Sequence, residues 1–144
     1  LRVVEVDAAD FLADIREDLL DDFPEATIDL DVRDGTQIQA DPGMLTVALS
    51  NLVENALDHG DASYATVSIS QTQDGRAECV VADRNEQINE AELAPIRAGD
   101  ETQLEHGSSI GLWIVKWSVT AMNADIEFEY DDGNVITITL PDRV

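Results

Sequence analysis

Asn51-Leu52-Val53-Glu54-Asn55-Ala56-Leu57-Asp58-His59 lies within a run, Met44 to His59, whose apolar residues have the spacing of a buried helix. Leu45, Ala48, Leu49, Leu52, Val53 and Ala56 recur at three- and four-residue intervals and so share one face. Asn51, Asn55 and His59 are each four apart, which sets three uncharged polar side chains in a row beside that face. Asp41-Pro42 reads as an N-cap followed by proline at the first helical position, and Gly60 as a C-terminal cap. Two asparagines on an amphipathic helix are ordinarily polar filler. The stretches on either side argue for a working pair.

Upstream, Arg2 to Val6 alternates as a short strand. Asp7 caps a helix running through Phe23, with Phe11, Leu12, Ile15, Leu19 and Leu20 as its apolar stripe. Pro24 stops it. Thr27 to Val32 alternates again, Asp34-Gly35 makes a turn, and Gln37 to Ala40 reads as the returning strand of that hairpin, leading into the asparagine helix. Asp29, Asp31 and Asp34 do not make a calcium loop, because the glycine falls one position late and the terminal glutamate is missing.

Downstream, Ala65 to Gln71 and Ala77 to Ala82 form a hairpin across Asp74-Gly75, and Asp83 closes the second strand. Residues 84–107 make a long polar connection, with one short helical possibility at Glu90 to Ile96, where a mobile cover over a site would lie. Ile110 to Met122 is a third helix, and Ile126 to Tyr130 and Val135 to Leu140 pair across Asp131-Asp132-Gly133-Asn134. Three helices and about six strands in mixed order predict an α+β fold, a two-layer α/β sandwich with a mixed, mostly antiparallel sheet and its helices on one face.

The 144 residues, 44% of them hydrophobic, suffice for one domain with a real core. No apolar run approaches the ~20 residues that span a bilayer, so no membrane contact by this chain and a cytoplasmic location are expected. Cys79, inside a strand, reads as a small buried hydrophobe. The charge is extreme: eight Lys and Arg against 31 Asp and Glu give −23, with Lys116 the only lysine. Such self-repulsion opposes a compact state at ordinary ionic strength, whereas molar salt cuts the screening length to ~3 Å. A salt-loaded cytosol is expected. Without a basic stripe to displace counterions from phosphates, nucleic acid is excluded as a partner.

Asn51-Leu-Val-Glu-Asn-Ala56, a strand ending in Asp83, and Gly107-Ser-Ser-Ile-Gly-Leu-Trp-Ile-Val-Lys116 occur in that order over nearly the whole chain. Together they resemble the ATP-binding domain of sensor histidine kinases, a branch of the GHKL ATPase family with the Bergerat fold, here of the halophilic archaeal type. The resemblance implies ATP and Mg2+ as cofactors and nucleotide seated between the helical layer and the long loop. It assigns Asp83 to the adenine amino group and Asn55 to the magnesium ion, which needs few protein oxygens. Asn51 stands where hydrolytic relatives carry a glutamate general base. An amide cannot take that proton, which favours holding ATP over hydrolysing it.

The segment Gly107, Ser108, Ser109, Ile110, Gly111 and Leu112 opens the third helix, and free amides at a helix start attract phosphate. Arg84, Arg97, His106 and His59 are the candidate cations for the phosphates.

The chain departs from the family in several places. The first box, normally Asp-x-Gly-x-Gly, reads Asp83-Arg84-Asn85-Glu86-Gln87, and side chains in place of both glycines are expected to crowd the pocket and stiffen the loop. Ser109 replaces a second-box glycine, Asp58 stands where a lysine is frequent, and Ile96-Arg97-Ala98-Gly99 lacks the aromatic of the lid. The phosphoaccepting histidine belongs on a separate dimerisation domain, with a response regulator downstream, so this chain alone is not expected to phosphorylate itself. Two other readings keep the fold: a regulatory module that no longer binds ATP, and an anti-sigma-type kinase directed at serine.

Overall fold

The computed structural model describes residues 2–58, 63–85 and 110–141. In chain order the elements are β1 (Val4–Asp7), α1 (Ala8–Asp22), β2 (Thr27–Val32), β3 (Gln37–Ala40), α2 (Pro42–Asp58), β4 (Tyr64–Gln71), β5 (Ala77–Ala82), α3 (Ile110–Ala121), β6 (Asp125–Tyr130) and β7 (Asn134–Thr139). The described strands form a two-stranded sheet, β1-β3, and a five-stranded sheet ordered β2-β4-β5-β7-β6. Only β2 and β4 pair in parallel in the larger sheet; its other pairs are antiparallel. The fold is therefore α+β, as the pattern of elements predicts.

Alternation along the strands buries one face of the sheet. One row of neighbours crosses all five strands as Leu30, Val67, Val81, Ile136 and Phe128. A second runs Val32, Ile69, Cys79, Ile138 and Ile126. The helices cover this face in a single core, with Leu12, Ile15 and Leu19 from α1, Leu45, Leu49, Leu52 and Val53 from α2, and Leu112, Val115 and Val119 from α3. Cys79 is fully buried among them, and its thiol is pushed up to about 12, first by burial and then by Glu78. It packs as a hydrophobe and is not a reactive thiolate.

Local signals set the helix starts. Asp7 Oδ1 accepts from Asp10 N–H at 3.0 Å to cap α1. Asp41 Oδ1 accepts from Met44 N–H at 3.1 Å to cap α2, while its Oδ2 takes Arg2 N–H at 2.8 Å. These backbone donors hold the Asp41 carboxyl below its ordinary value.

The expected hairpin between β2 and β3 does not form. β3 pairs antiparallel with β1, Val4 opposite Ala40, and β2 pairs in parallel with β4, Thr27 opposite Tyr64. The Asp34-Gly35 turn, with Gly35 at φ 84°, hands the chain to the start of α1, where Ala8 N–H donates to Thr36 O at 2.9 Å. β3 and α2 thus become the crossover that a parallel β2–β4 pair requires. β4, β6 and β7 start one residue earlier than the alternation places them.

The β6–β7 turn is fixed by a backbone contact. A Cβ on Gly133 would lie 1.9 Å from Asp83 O and 2.8 Å from Asp83 C, so only glycine fits against the end of β5. Its φ of 156° is one that L side chains rarely adopt. The obstruction is main chain, which cannot swing aside as a side-chain tip could. Gly133→Ala is expected to cost about 1–3 kcal/mol of stability, as overpacking does. A denaturant titration in molar potassium chloride checks this, and an unchanged midpoint would show that the turn can reseat freely.

Candidate functional site

The buried residues of α2, including Leu49, Leu52, Val53 and Ala56, set the rotation of the helix and leave Asn51 and Asn55 half-buried on its flank. That flank faces the first turn of α3. A Cβ on Gly111 would stand 3.4 Å from Asn55 Oδ1, 3.6 Å from Asn55 Nδ2 and 3.7 Å from Asn51 Oδ1. At the far end of α3, Met122 lines a small cavity with Ala40 and Asp41, so the two helices run antiparallel. The asparagine box therefore meets the second box at Gly111.

The two amides differ in what they have to spare. Asn51 Nδ2 donates to Val47 O at 2.7 Å within its own helix, which leaves its Oδ1 beside Gly111. The Asn55 side chain has no hydrogen bond to another described residue. A half-buried amide oxygen with open capacity suits a hard cation or a phosphate-bound water. Among the described residues no group of three His, Cys, Asp or Glu could enclose a metal. A cation here could draw on the Asn55 amide oxygen, with ligand and water oxygens to fill out its shell.

Asp83 follows β5 directly, at the end of the site nearer the β6–β7 turn. Its N–H donates to Asn134 O at 3.0 Å. Its Oδ1 accepts from Asn134 N–H at 2.8 Å, Asn134 Nδ2 at 3.2 Å and Asn85 N–H at 3.0 Å. Its Oδ2 meets Asn134 Nδ2 at 3.4 Å. One oxygen is filled by the protein, and the other keeps lone-pair capacity for a ligand N–H. Asn85 Nδ2 then donates to Ala56 O at 2.9 Å, tying this corner to α2.

Arg84 is turned elsewhere. Its guanidinium carbon lies 3.8 Å from the centroid of the Tyr64 ring, a cation–π contact, and Tyr64 O–H donates to Asp29 Oδ2 at 3.2 Å. Leu112 is 3% exposed, so its side chain belongs to the core and only its backbone is on offer to a ligand. His59, Arg97, His106, Gly107, Ser108, Ser109 and the possible short helix at Glu90 to Ile96 lie outside the described residues.

Sequence reasoning placed Asn51, Asn55, Gly111 and Asp83 together by resemblance, and it missed Gly133, Asn134 and the inward role of Asn85. A signal for the first two was present: a strand-ending carboxylate needs donors, and the glycine-asparagine pair at the β6–β7 turn can supply them. A second signal was the absence of any Asp or Glu between Glu105 and Asp125, in a chain carrying 31. α3 therefore brings no carboxylate of its own toward an anion.

Residues 40–144 match the family model described as histidine kinase-, DNA gyrase B-, and HSP90-like ATPase. The sensor histidine kinase ArsS of Helicobacter pylori is 24% identical over 101 residues, covering 68% of this chain and 22% of that protein. The chain thus spans about a fifth of that relative's length. Among solved structures, the mycobacterial sensor histidine kinase MprB superposes with a TM-score of 0.77 at 23% identity, covering 97% of both chains. Full-length ShkA in complex with AMPPNP gives a TM-score of 0.80 at 24% identity over 98% of this chain and 31% of that one. Those two likenesses concern the fold; the family match adds the class. Over most of its length, then, the chain belongs to the histidine kinase-, DNA gyrase B- and HSP90-like ATPases.

Proposed function

We propose that this domain binds Mg-ATP and passes the γ-phosphate to a histidine on a separate dimerisation domain, with a response regulator as the next acceptor. The observation that carries the reading is the meeting of Asn51 and Asn55 with Gly111 at the start of α3, while Asn85 ties the Asp83 corner to the same helix α2. Asp83 Oδ2 would accept from the adenine amino group. Asn55 Oδ1 would hold the magnesium ion, which when bound neutralises phosphate charge and orients the transferred group. The amides from Gly107 to Leu112, with His59, Arg97 and His106, would complete the phosphate site. Asn51 has no proton-accepting carboxylate, so bound ATP is kept for transfer and not lost to water.

The domain would work in the cytoplasm of a salt-adapted cell. Local electrostatics support this. The Glu54 carboxyl is held above its ordinary value by burial first, then by Asp22 and Asp58. A carboxyl raised on folding keeps its proton longer in the native state. Its support for folding is therefore full below the ordinary value of 4.5 and lost as pH rises through the folded value. At neutral pH the ionised Glu54 weighs against folding, and salt screens the part of that effect that comes from Asp22 and Asp58.

A calorimetric titration of Mg-ATP into the domain in molar potassium chloride tests the reading. Saturable binding is expected. Asn55→Ala should weaken it roughly tenfold or more, as loss of a contact to a charged group does, without changing the melting temperature much. No binding heat from well-folded protein would overturn the reading in favour of a module of this fold without ATP.

A further inference from the structure

Asn85 occupies the third position of the first box, where the resembling family carries glycine. Its side chain was expected to crowd the pocket. In the structure it points at α2 instead, and both of its nitrogens donate. The backbone N–H donates to Asp83 Oδ1 at 3.0 Å, and Nδ2 donates to Ala56 O at 2.9 Å. Ala56 follows Asn55 directly and lies in the last turn of α2, which ends at Asp58. Its carbonyl is one of the final four in the helix, which lack a donor inside it. A glycine at position 85 would supply the first bond and not the second.

Accepting the nucleotide reading above, we propose that Asn85 is a positioning residue. It locks the base-reading carboxylate of Asp83 to the metal-binding end of α2, so that one rigid unit reads both ends of the nucleotide. The span runs from Asp83 Oδ1 through a single residue to the carbonyl next to Asn55. Asn134 holds the same Oδ1 from the other side at 2.8 Å and 3.2 Å, so that oxygen cannot turn to a ligand and Oδ2 alone faces the base. A fixed carboxylate that only accepts hydrogen bonds favours a base presenting an amino group there over one presenting a carbonyl.

The inference opposes the crowding expectation in sign. If Asn85 only obstructs, restoring glycine should tighten binding. If it is a strut, glycine should loosen it. The test measures binding of Mg-ATP and of Mg-GTP by calorimetry in molar potassium chloride for wild type, Asn85→Gly and Asn85→Ala, with melting temperatures alongside. Wild type should prefer Mg-ATP. Both variants should bind it roughly two- to tenfold more weakly, the range for one lost hydrogen bond, and should lose part of the preference over Mg-GTP.

Unchanged or tighter binding by a folded Asn85→Gly would overturn the proposal. So would a lower melting temperature with the preference intact, since a mere helix cap leaves base choice alone. If Asn85→Gly does not fold, Asn85→Ala, which keeps a Cβ, carries the same comparison. Failure of wild type to bind Mg-ATP overturns the nucleotide reading itself, and with it this inference, before any variant is measured.

Discussion

Between Gly133 and the backbone of Asp83 there is room for a hydrogen atom and nothing larger. That contact brings the β6–β7 turn onto the end of β5, and much of the site follows from it. It delivers Asn134 to Asp83, so that main chain and side chain together fill one carboxylate oxygen. Asp83 in turn receives Asn85 N–H, and Asn85 reaches across to α2. The corner proposed to read the base thus has its carboxylate held by the backbone N–H groups of Asn134 and Asn85, which leaves it little freedom to lose on binding.

The other end of the site depends on charge. A domain with a net charge of −23 is a poor receptor for a polyphosphate. Among the described residues, the place where α2 meets α3 carries little of that charge. α2 carries no carboxylate before Glu54, and none occurs between Glu105 and Asp125. Two uncharged amides and the start of a helix face each other there, so amide dipoles are on offer to an anion. Glu54 and Asp58 flank Asn55 on α2, and with Asp22 they make an acidic group whose mutual repulsion salt can screen.

How much of this the sequence discloses depends on how far each signal reaches along the chain. The three helices are legible because their spacing and caps are local, and Asp7 and Asp41 cap where the pattern puts them. The fold class follows from element order. The partner of β3 is not legible, because alternation records which face is buried and not which strand lies alongside. Val4 opposite Ala40 is a choice made by tertiary packing. Resemblance finds Asn51, Asn55, Gly111 and Asp83 because they are family positions. Asn134 and Asn85 escape because their roles rest on hydrogen bonds across 51 and 29 residues. Asn85 even misleads, since a side chain in place of glycine reads as an obstruction until its direction is seen.

The most direct test of the site as one unit is an amide-detected NMR titration of the domain with Mg-ATP in molar potassium chloride. The account predicts that the side-chain amides of Asn55, Asn85 and Asn134 and the backbone amide of Gly111 shift together, with a single dissociation constant. Shifts confined to other residues, or to one end of this set, would contradict it.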